Sequence, residues 1–259
     1  MALFLCFFIF LFASSASACD SCVHQSKAAY FKNDSPLSSG ACGYGSLALD
    51  LGNGQVAGVV PSLFKVGAGC GACFQVRCKN STLCTKAGTR VVATDLNDSN
   101  QTDFVLSSKA FTAIAQKGQE QQIVKLGIVD IEYKRVPCDY KNHNLSVRVE
   151  ESSQKPNYLA ITLLYQGGQT EIVAVYVAEV GGSNWSEMKR NHGAVWDTSK
   201  VPQGPLQLWM TVVGGYDGRM IRIQKEVLPA DWKNGVIYDT GVKITDIKQE
   251  GCCDDGTWP

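Results

Sequence analysis

The spacing of the cysteines constrains this chain more than any other feature of its sequence. Of the 11 cysteines, Cys6 falls within an apolar N-terminal segment, and most of the others lie between residues 42 and 138. None follows Cys138 until Cys252. An even number of cysteines in an exported chain is typical of disulfide bonds. We therefore expect the first half to be cross-linked, whereas the second half depends on its apolar core.

The N-terminal segment has the features of a secretory signal peptide. Residues 3–12 are apolar throughout, and Ala16, Ser17 and Ala18 form the A-x-A pattern at which signal peptidase cuts, although no Lys or Arg precedes the run. The run is too short to cross a bilayer, which needs about 20 apolar residues, and no later segment approaches that length. We expect residues 1–18 to be removed, leaving Cys19 as the N-terminus of a secreted protein with no membrane partner.

Two C-x-x-C pairs raise the alternative of a metal or redox site. They are formed by Cys19 with Cys22 and by Cys70 with Cys73. Zinc would need further ligands at regular spacing, but the chain has 3 histidines, and only His24 lies near such a pair. We therefore expect disulfides, with no metal and no cofactor.

Sequons and charge indicate where the protein works. N-linked glycans are expected wherever a sequon lies on an accessible loop. The sequons begin at Asn33, Asn80, Asn97, Asn100, Asn144 and Asn184. The 24 basic and 24 acidic residues balance, and neither half of the sequence carries a basic stripe. This argues against nucleic acid or an anionic membrane as the partner.

The chain divides into two regions of different character. Residues 19–142 combine β-branched runs and glycine-rich turns with one helical pattern, for which Ser107 or Ser108 is the N-cap and Gly118 the end. Residues 143–245 contain short strands separated by glycine turns, which favours a β-sandwich. The expected strands are 145–151, 158–165, 171–178, 206–213, 219–225 and 236–244. The join is expected near residues 139–144, and it is too short to let the two domains swing freely.

Several local strings resemble expansins, plant proteins that loosen cell walls. They occur in the family's order and roughly its spacing at Gly40–Gly45, Gly67–Cys78, Val91–Asp95, Phe104–Phe111 and Tyr133–Cys138. Within that family the chain is most similar to the expansin-like A branch, which also has Asp197 and Thr198 after Trp196, the string Leu228–Trp232 and a cysteine-bearing C-terminal extension, here residues 246–259.

The resemblance implies a mainly β protein. It consists of a six-stranded double-psi β-barrel, related to family 45 glycoside hydrolases, followed by a β-sandwich that binds carbohydrate. It also implies three disulfides, which are Cys42 with Cys70, Cys73 with Cys138, and Cys78 with Cys84. The pairing of Cys19, Cys22, Cys252 and Cys253 stays open, and a bond between the two termini is one possibility.

The carboxylates that hydrolysis requires are incomplete. Inverting glycosidases need two carboxyl groups about 6.5 to 9.5 Å apart. Asp95 matches the family's groove aspartate, although it could instead cap a turn. The position of the second acid holds Val105, and Asp103 lies two residues earlier, where an extended strand would direct it to the same side. The opening strand supplies no base, and Ala29 replaces a family threonine.

Candidate binding residues are aromatic or imidazole side chains, because sugars stack on flat rings. Tyr158 opens a strand at a platform position of the family, and His192 stands where many expansins carry an aromatic residue. Trp209 could face either way, Trp185 is ambiguous, and Trp196 is expected in the core.

The main hypothesis is a monomeric, secreted wall protein that binds cellulose, xyloglucan or other matrix glycans and loosens them without hydrolysis. The alternatives are a wall glycoprotein that binds without loosening and a weak endoglucanase acting through Asp95 and Asp103.

Overall fold

The computed structural model describes residues 23–32, 39–214 and 217–245. Residues 1–18 and 246–259 lie outside these ranges, as do Cys19, Cys22, Cys252, Cys253 and Asn33, so the expectations for them stay predictions. The strands are β1 His24–Tyr30, β2 Val56–Val59, β3 Cys73–Cys78, β4 Thr89–Leu96, β5 Phe104–Leu106, β6 Val129–Val136, β7 Ser146–Val149, β8 Leu159–Leu164, β9 Glu171–Glu179, β10 Ser186–His192, β11 Val195–Thr198, β12 Leu206–Gly214, β13 Asp217–Leu228 and β14 Ile237–Asp239. The helices are α1 Ala48–Leu51, α2 Pro61–Phe64, α3 Ser108–Ala113 and α4 Glu120–Leu126.

The first six strands form a closed barrel in the order β1-β5-β2-β4-β3-β6. Side chains alternate between its inside and its outside, as the two-residue period of a strand requires. On β5, for example, Phe104 and Leu106 are fully buried while Val105 between them is partly exposed. The barrel core is aromatic, with the rings of Phe74, Phe104 and Tyr133 packed edge to face.

Three disulfides cross-link the barrel. The structure joins Cys42 to Cys70, Cys73 to Cys138, and Cys78 to Cys84. These are the pairs that the family resemblance implies. The first joins the loops at residues 40–45 and 67–72, which lie beside the candidate site, and the second joins the start of β3 to the segment after β6.

The helix expected after Ser107 or Ser108 begins at Ser108, because the Ser107 hydroxyl accepts the hydrogen bond of the Ala110 amide at 3.1 Å. It ends at Ala113, earlier than the predicted stop at Gly118. A second helix, α4, follows at Glu120–Leu126 and was not expected from the sequence.

The remaining eight strands form the β-sandwich in the order β13-β12-β9-β10-β11-β8-β7-β14. Strand β10 belongs to both layers, since it pairs with β9 at Ser186–Met188 and with β11 at Lys189–His192. The two layers enclose one apolar core, which includes Trp196 as expected. The six predicted strands are all present, but β10 was missed and β11 was recognised only as a strand containing Trp196.

Barrel and sandwich are packed against each other. Beyond the linker, Cys138 and Gly168 exchange backbone hydrogen bonds, and the Ala194 amide donates to Cys42 O at 3.0 Å. Glu171 of β9 accepts from Lys65 of the barrel at 2.5 Å. These contacts fix the face on which the candidate site lies. Within the described ranges, no helix is long and apolar enough to cross a membrane.

Candidate functional site

A row of four residues crosses the outer face of the barrel. In the strand register, Ala29 pairs with Val105, Val105 with Gly58, and Gly58 with Asp95. Cross-strand partners share a face of the sheet, so these four residues, called the groove row below, lie side by side. Gly58 has no side chain and leaves the floor open between Asp95 and Val105.

Asp95 is held in place by the backbone around it. Its Oδ1 atom accepts from the amides of Ala41 at 2.6 Å and Leu96 at 2.8 Å. Gly40 packs so closely against it that an added Cβ would lie 3.1 Å from Asp95 Cβ. Asp95 belongs to strand β4, where it pairs with Gly58 of the neighbouring strand β2. The carboxylate is therefore part of the barrel face and does not cap a separate turn.

Val105 faces outward in this row. It is separated from Asp95 by one strand, and neighbouring strands are about 4.8 Å apart, so the two backbones are roughly 10 Å apart. This is close to the separation at which two carboxyl groups could flank a glycosidic bond. The residue present is valine, which can neither donate a proton nor accept one.

Asp103 lies at a bend just before β5, which begins at Phe104. Asp103 and Val105 are both partly exposed, whereas Phe104 between them is buried. The Asp103 carboxylate accepts a hydrogen bond from Tyr133, whose ring packs in the barrel core. Burial first, and then the Asp103 carboxylate, raise the pKa of Tyr133 to about 12.

The sandwich continues the surface with a group of polar and aromatic side chains. Asp197 Oδ2 accepts from the Tyr158 hydroxyl at 2.8 Å and from Asn191 Nδ2 at 2.5 Å. His192 Nδ1 lies 2.8 Å from Asn191 Oδ1. These four residues, Tyr158, Asn191, His192 and Asp197, are called the platform below. Burial first, and then Asp197, raise the pKa of Tyr158, so its hydroxyl remains a donor.

Residues 40–43 connect the groove row to the platform. One end of this loop touches Asp95, as described above. At the other end, a Cβ on Gly43 would lie 2.8 Å from His192 Nε2 and 2.6 Å from a methyl group of Val195. Only glycine allows this close approach, so Asp95, the loop and the platform form one surface across both domains.

Trp209 lies on the opposite side of the sandwich. Its neighbours on β12, Leu208 and Met210, are in the core, so Trp209 faces the outside of the other layer. There it contacts Tyr176 and Trp185, with ring centroids 5.3 and 5.8 Å away, and Arg222 lies 5.3 Å above its ring. The structure therefore brings Tyr158 and His192 together but not Trp209. Trp209, Tyr176, Trp185 and Arg222 are together called the rear aromatic cluster below, and its three aromatic side chains are partly exposed.

Asn191 and Asp197 were not identified as site residues from the sequence. Asp197 could have been found by alternation, since it follows the buried Trp196 on β11 and must face outward. Asn191 had no such signal, because the register of β10 shifts between Arg190 and His192.

The sequons differ in accessibility. Asn80, Asn100 and Asn184 are exposed. Asn144 is partly buried and donates to Asp239. Asn97 is only 6% exposed, and its side-chain nitrogen donates to Thr102 O at 2.6 Å. Asn97 therefore does not meet the condition of an accessible loop on which the expectation of a glycan depends.

No group of three or more potential metal ligands is found among the described residues.

Comparisons with known proteins agree with this architecture. Residues 145–229 match the family described as expansin C-terminal domain, and residues 56–133 match the family described as lytic transglycolase. A crystal structure of a Clavibacter michiganensis expansin without ligand shares the fold, with a TM-score of 0.65. The two sequences are 21% identical, and the match covers 87% of this chain and 100% of that chain. A mutant of that protein in complex with cellohexaose matches equally well. The fold is thus that of a two-domain expansin.

Relatives in plants narrow the group further. Expansin-like A2 of Arabidopsis thaliana is 62% identical over 99% of this chain and 98% of its own length. Expansin-like A3 of Oryza sativa is 48% identical over 93% of this chain and 90% of its own length. The chain belongs to the expansin-like A group of the expansin family.

Proposed function

We propose that this protein is secreted into the plant cell wall, where it binds cellulose and matrix glycans such as xyloglucan and loosens contacts between polymers without cutting them. The observation that carries the proposal is the continuous surface from Asp95 through residues 40–43 to His192 and Tyr158. An extended polymer can lie across both domains on such a surface, whereas a closed pocket would admit only a short ligand.

The chemistry of this surface supports glycan binding. Tyr158 and His192 offer rings for stacking, and Asn191 and Asp197 offer an amide and a carboxylate for sugar hydroxyls. The structural relative that was crystallised with cellohexaose also supports a β-glucan as the ligand.

We propose that the protein does not hydrolyse glycans, because the groove row lacks the residues that hydrolysis needs. Of its four residues only Asp95 can exchange a proton, and hydrolysis with inversion needs an acid and a base. The endoglucanase alternative requires Asp103 as the second acid, and this carboxylate already accepts a hydrogen bond from Tyr133.

A second candidate function is binding without loosening. Val105 favours it, because this position cannot form the hydrogen bond that an aspartate there would make to a sugar hydroxyl. The two functions share the surface and differ only in their mechanical effect on the wall.

Three assays on the purified protein separate the candidates. Creep of a clamped, heat-killed wall strip is expected to increase, and no new reducing ends are expected from soluble or crystalline glucans. Creep without reducing ends supports loosening, retention on cellulose without creep supports pure binding, and new reducing ends would overturn the non-hydrolytic mechanism.

Variants on the two sides of the sandwich test the surface itself. Tyr158→Ala and His192→Ala should each weaken retention on cellulose several-fold, because a stacking contact contributes about 1 kcal/mol. Trp209→Ala is the matched control, since it removes an aromatic ring from the other layer. If Trp209→Ala lost retention while the platform variants bound like the parent, the glycan would lie on the rear side.

A further inference from the structure

The barrel carries a face rich in basic side chains on the side away from the groove row. Its members are the outward residues of β1, β3, β4 and β6 and of the adjoining loop, namely Lys27, Arg77, Lys79, Lys86, Arg90 and Lys134, with Asp130 and Glu132 between them. Six basic and two acidic groups leave a net charge of four positive on this surface, called the basic face below. The whole chain, in contrast, is neutral.

Strand register gathers these charges. Gln75 of β3 pairs with Arg90 on one side and Lys134 on the other, and Arg77 pairs with Glu132. In the closed barrel β3 and β6 lie opposite β5 and β2, which hold Val105 and Gly58. The basic residues come from separate stretches of sequence, which is why no basic stripe is visible before folding.

The basic side chains of this face lower the pKa of both of its carboxyl groups, Asp130 and Glu132. Lys27 hydrogen-bonds to Asp130 at 2.5 Å and lowers its pKa, and Lys79 lowers it further. Burial alone would raise the pKa of Glu132, but hydrogen bonds from Gln25 and Arg77 and the charges of Arg77 and Lys79 lower it. Lys79 thus acts on both acids, although no ion pair joins it to either one in the described part of the chain.

A surface cavity of about 380 Å³ opens within the basic face. Arg77, Lys79 and Lys86 line it, together with the hydroxyl-bearing Ser81 and Thr85 and with Glu132, whose carboxylate is paired with Arg77. Ammonium groups beside neutral hydroxyl donors suit a carboxylate flanked by sugar hydroxyls, because charge-assisted hydrogen bonds are stronger than neutral ones.

We infer that the basic face binds a polyanionic glycan whose charges are carboxylates, that is, a uronate-rich polysaccharide. This adds a second binding surface to the proposed function and does not depend on the groove row or the platform. Charge complementarity favours this occupant, since a polymer with repeated negative charges can engage Lys79, Lys86 and Arg90 at once. A molecule that holds a neutral glucan on one side and an acidic glycan on the other would bridge the two polymer classes.

The experiment measures binding of the purified protein to polygalacturonate and to its fully methyl-esterified, uncharged form. At about 0.01 M salt, where charges act over about 30 Å, polygalacturonate should bind and the ester should not. Raising the salt to about 0.15 M should weaken the binding.

Variants assign the binding to the basic face. The double variant Lys79→Gln/Lys86→Gln should weaken polygalacturonate binding about two- to thirtyfold at low salt. Lys79→Arg/Lys86→Arg keeps the charge and should bind like the parent. Lys225→Gln/Lys233→Gln removes two exposed lysines from the sandwich and should change the binding little.

Cellohexaose binding by the same variants separates this inference from the proposed function. Cellohexaose binding should be the same in the three double variants as in the parent. If the parent does not bind cellohexaose, the proposed function is contradicted, whereas this inference is not affected. The inference is overturned if the parent binds the esterified polymer equally well or fails to bind polygalacturonate at low salt. It is also overturned if the sandwich variant loses as much binding as the barrel variant, or if a sulfated polysaccharide of equal charge density binds tenfold more tightly.

Discussion

Val105 faces outward in the groove row, between Ala29 and Gly58. A buried, unpaired aspartate would cost about 1 to 3 kcal/mol or more, but a carboxylate on this partly exposed face can be hydrated. Val105→Asp should therefore leave the thermal melting temperature near that of the parent. It should increase wall creep, because the new carboxylate can accept hydrogen bonds from sugar hydroxyls, and it should still produce no reducing ends.

The control for Val105→Asp is Asp95→Asn, which should reduce whatever creep the parent supports. Asp98→Asn is the matched substitution at an exposed neighbour and should have no effect. A large fall in melting temperature of Val105→Asp with no gain in creep would show that this position belongs to the core.

Asp103 and Tyr133 form a stabilising pair whose effect depends on pH. The pKa of Tyr133 in the folded protein is about 12, above its ordinary value of 10.0. As the pH rises above about 10 the unfolded chain loses this proton first, so the contribution of Tyr133 to stability should be complete below pH 10 and be lost between about pH 10 and 12. Burial also raises the pKa of Tyr44 and Tyr140, which add to the loss of stability in alkali. Urea unfolding at several pH values measures this.

Asp103→Asn should lower the pKa of Tyr133, because the carboxylate's charge and its hydrogen bond both favour the protonated phenol. The pKa should stay above the ordinary value, since burial is the largest cause of the shift. Phenolate absorbance measures the change, with Asp98→Asn as the control. If the titration of Tyr133 is unchanged and glycan binding is lost, Asp103 acts on the glycan and not on Tyr133.

The two neighbouring sequons at Asn97 and Asn100 should differ in occupancy. A Cβ on Gly58 would lie 3.8 Å from Asn97 Cβ, so a glycan at Asn97 would stand in the groove and break its bond to Thr102. Glycopeptide mass spectrometry should find glycans at Asn100 and Asn184 and none at Asn97. A fully occupied Asn97 would contradict the buried placement of its amide.

At the level of elements, apolar alternation and glycine turns predicted most strands. The strands that were missed have polar or charged residues where an alternating pattern would have apolar ones. Strand β10 contains a single core residue, Met188, among polar ones, so its sequence lacks the apolar alternation of β12. Helix α4 has seven residues and one fully buried side chain, Ile123, which is too little for a helical period. Tertiary contacts determine both elements.

The candidate site was only partly predictable from the sequence. Asp95, Val105, Tyr158 and His192 stand at positions that the family resemblance marks. The partner of Asp103 could not be predicted, because Tyr133 lies on another strand, β6, 30 positions away in the sequence.

Helix α3 offers a test of local structure. The Ser107 hydroxyl accepts from the Ala110 amide and donates to Gly54 O at 2.7 Å. Ser107→Ala removes these two bonds and a third, from the Val56 amide at 3.4 Å. It should destabilise the protein by about 1 to 2 kcal/mol, which lowers the melting temperature by about 2 to 8 °C for a protein of this size. Ser183→Ala, at an exposed loop position, is the control and should be neutral. Equal melting temperatures for the two variants would exclude Ser107 as the cap.

At the scale of the whole molecule, the proposed surface exists only while barrel and sandwich keep their relative orientation. The ion pair of Lys65 with Glu171 contributes to it, but ion pairs of this exposure are worth about 1 kcal/mol or less. Arg190 of β10 is more deeply placed. It donates to Gly67 O of the barrel at 3.2 Å, and also to Gly193 O and Ile172 O of the sandwich, while its guanidinium lies 4.2 Å from the Trp196 ring centroid.

Arg190→Lys should therefore loosen the contact between the domains. A lysine ammonium cannot reproduce the planar fork that reaches all three carbonyls, nor stack on Trp196 as a guanidinium does. Amide hydrogen exchange should become faster around Gly67–Gly71, and cellohexaose should bind several-fold more weakly because groove row and platform no longer keep a fixed spacing. Arg222→Lys, which alters the rear aromatic cluster in the same way, is the control. If exchange accelerates while cellohexaose binding stays at the parental level, the glycan occupies one domain only, and the surface across both domains is not the binding site.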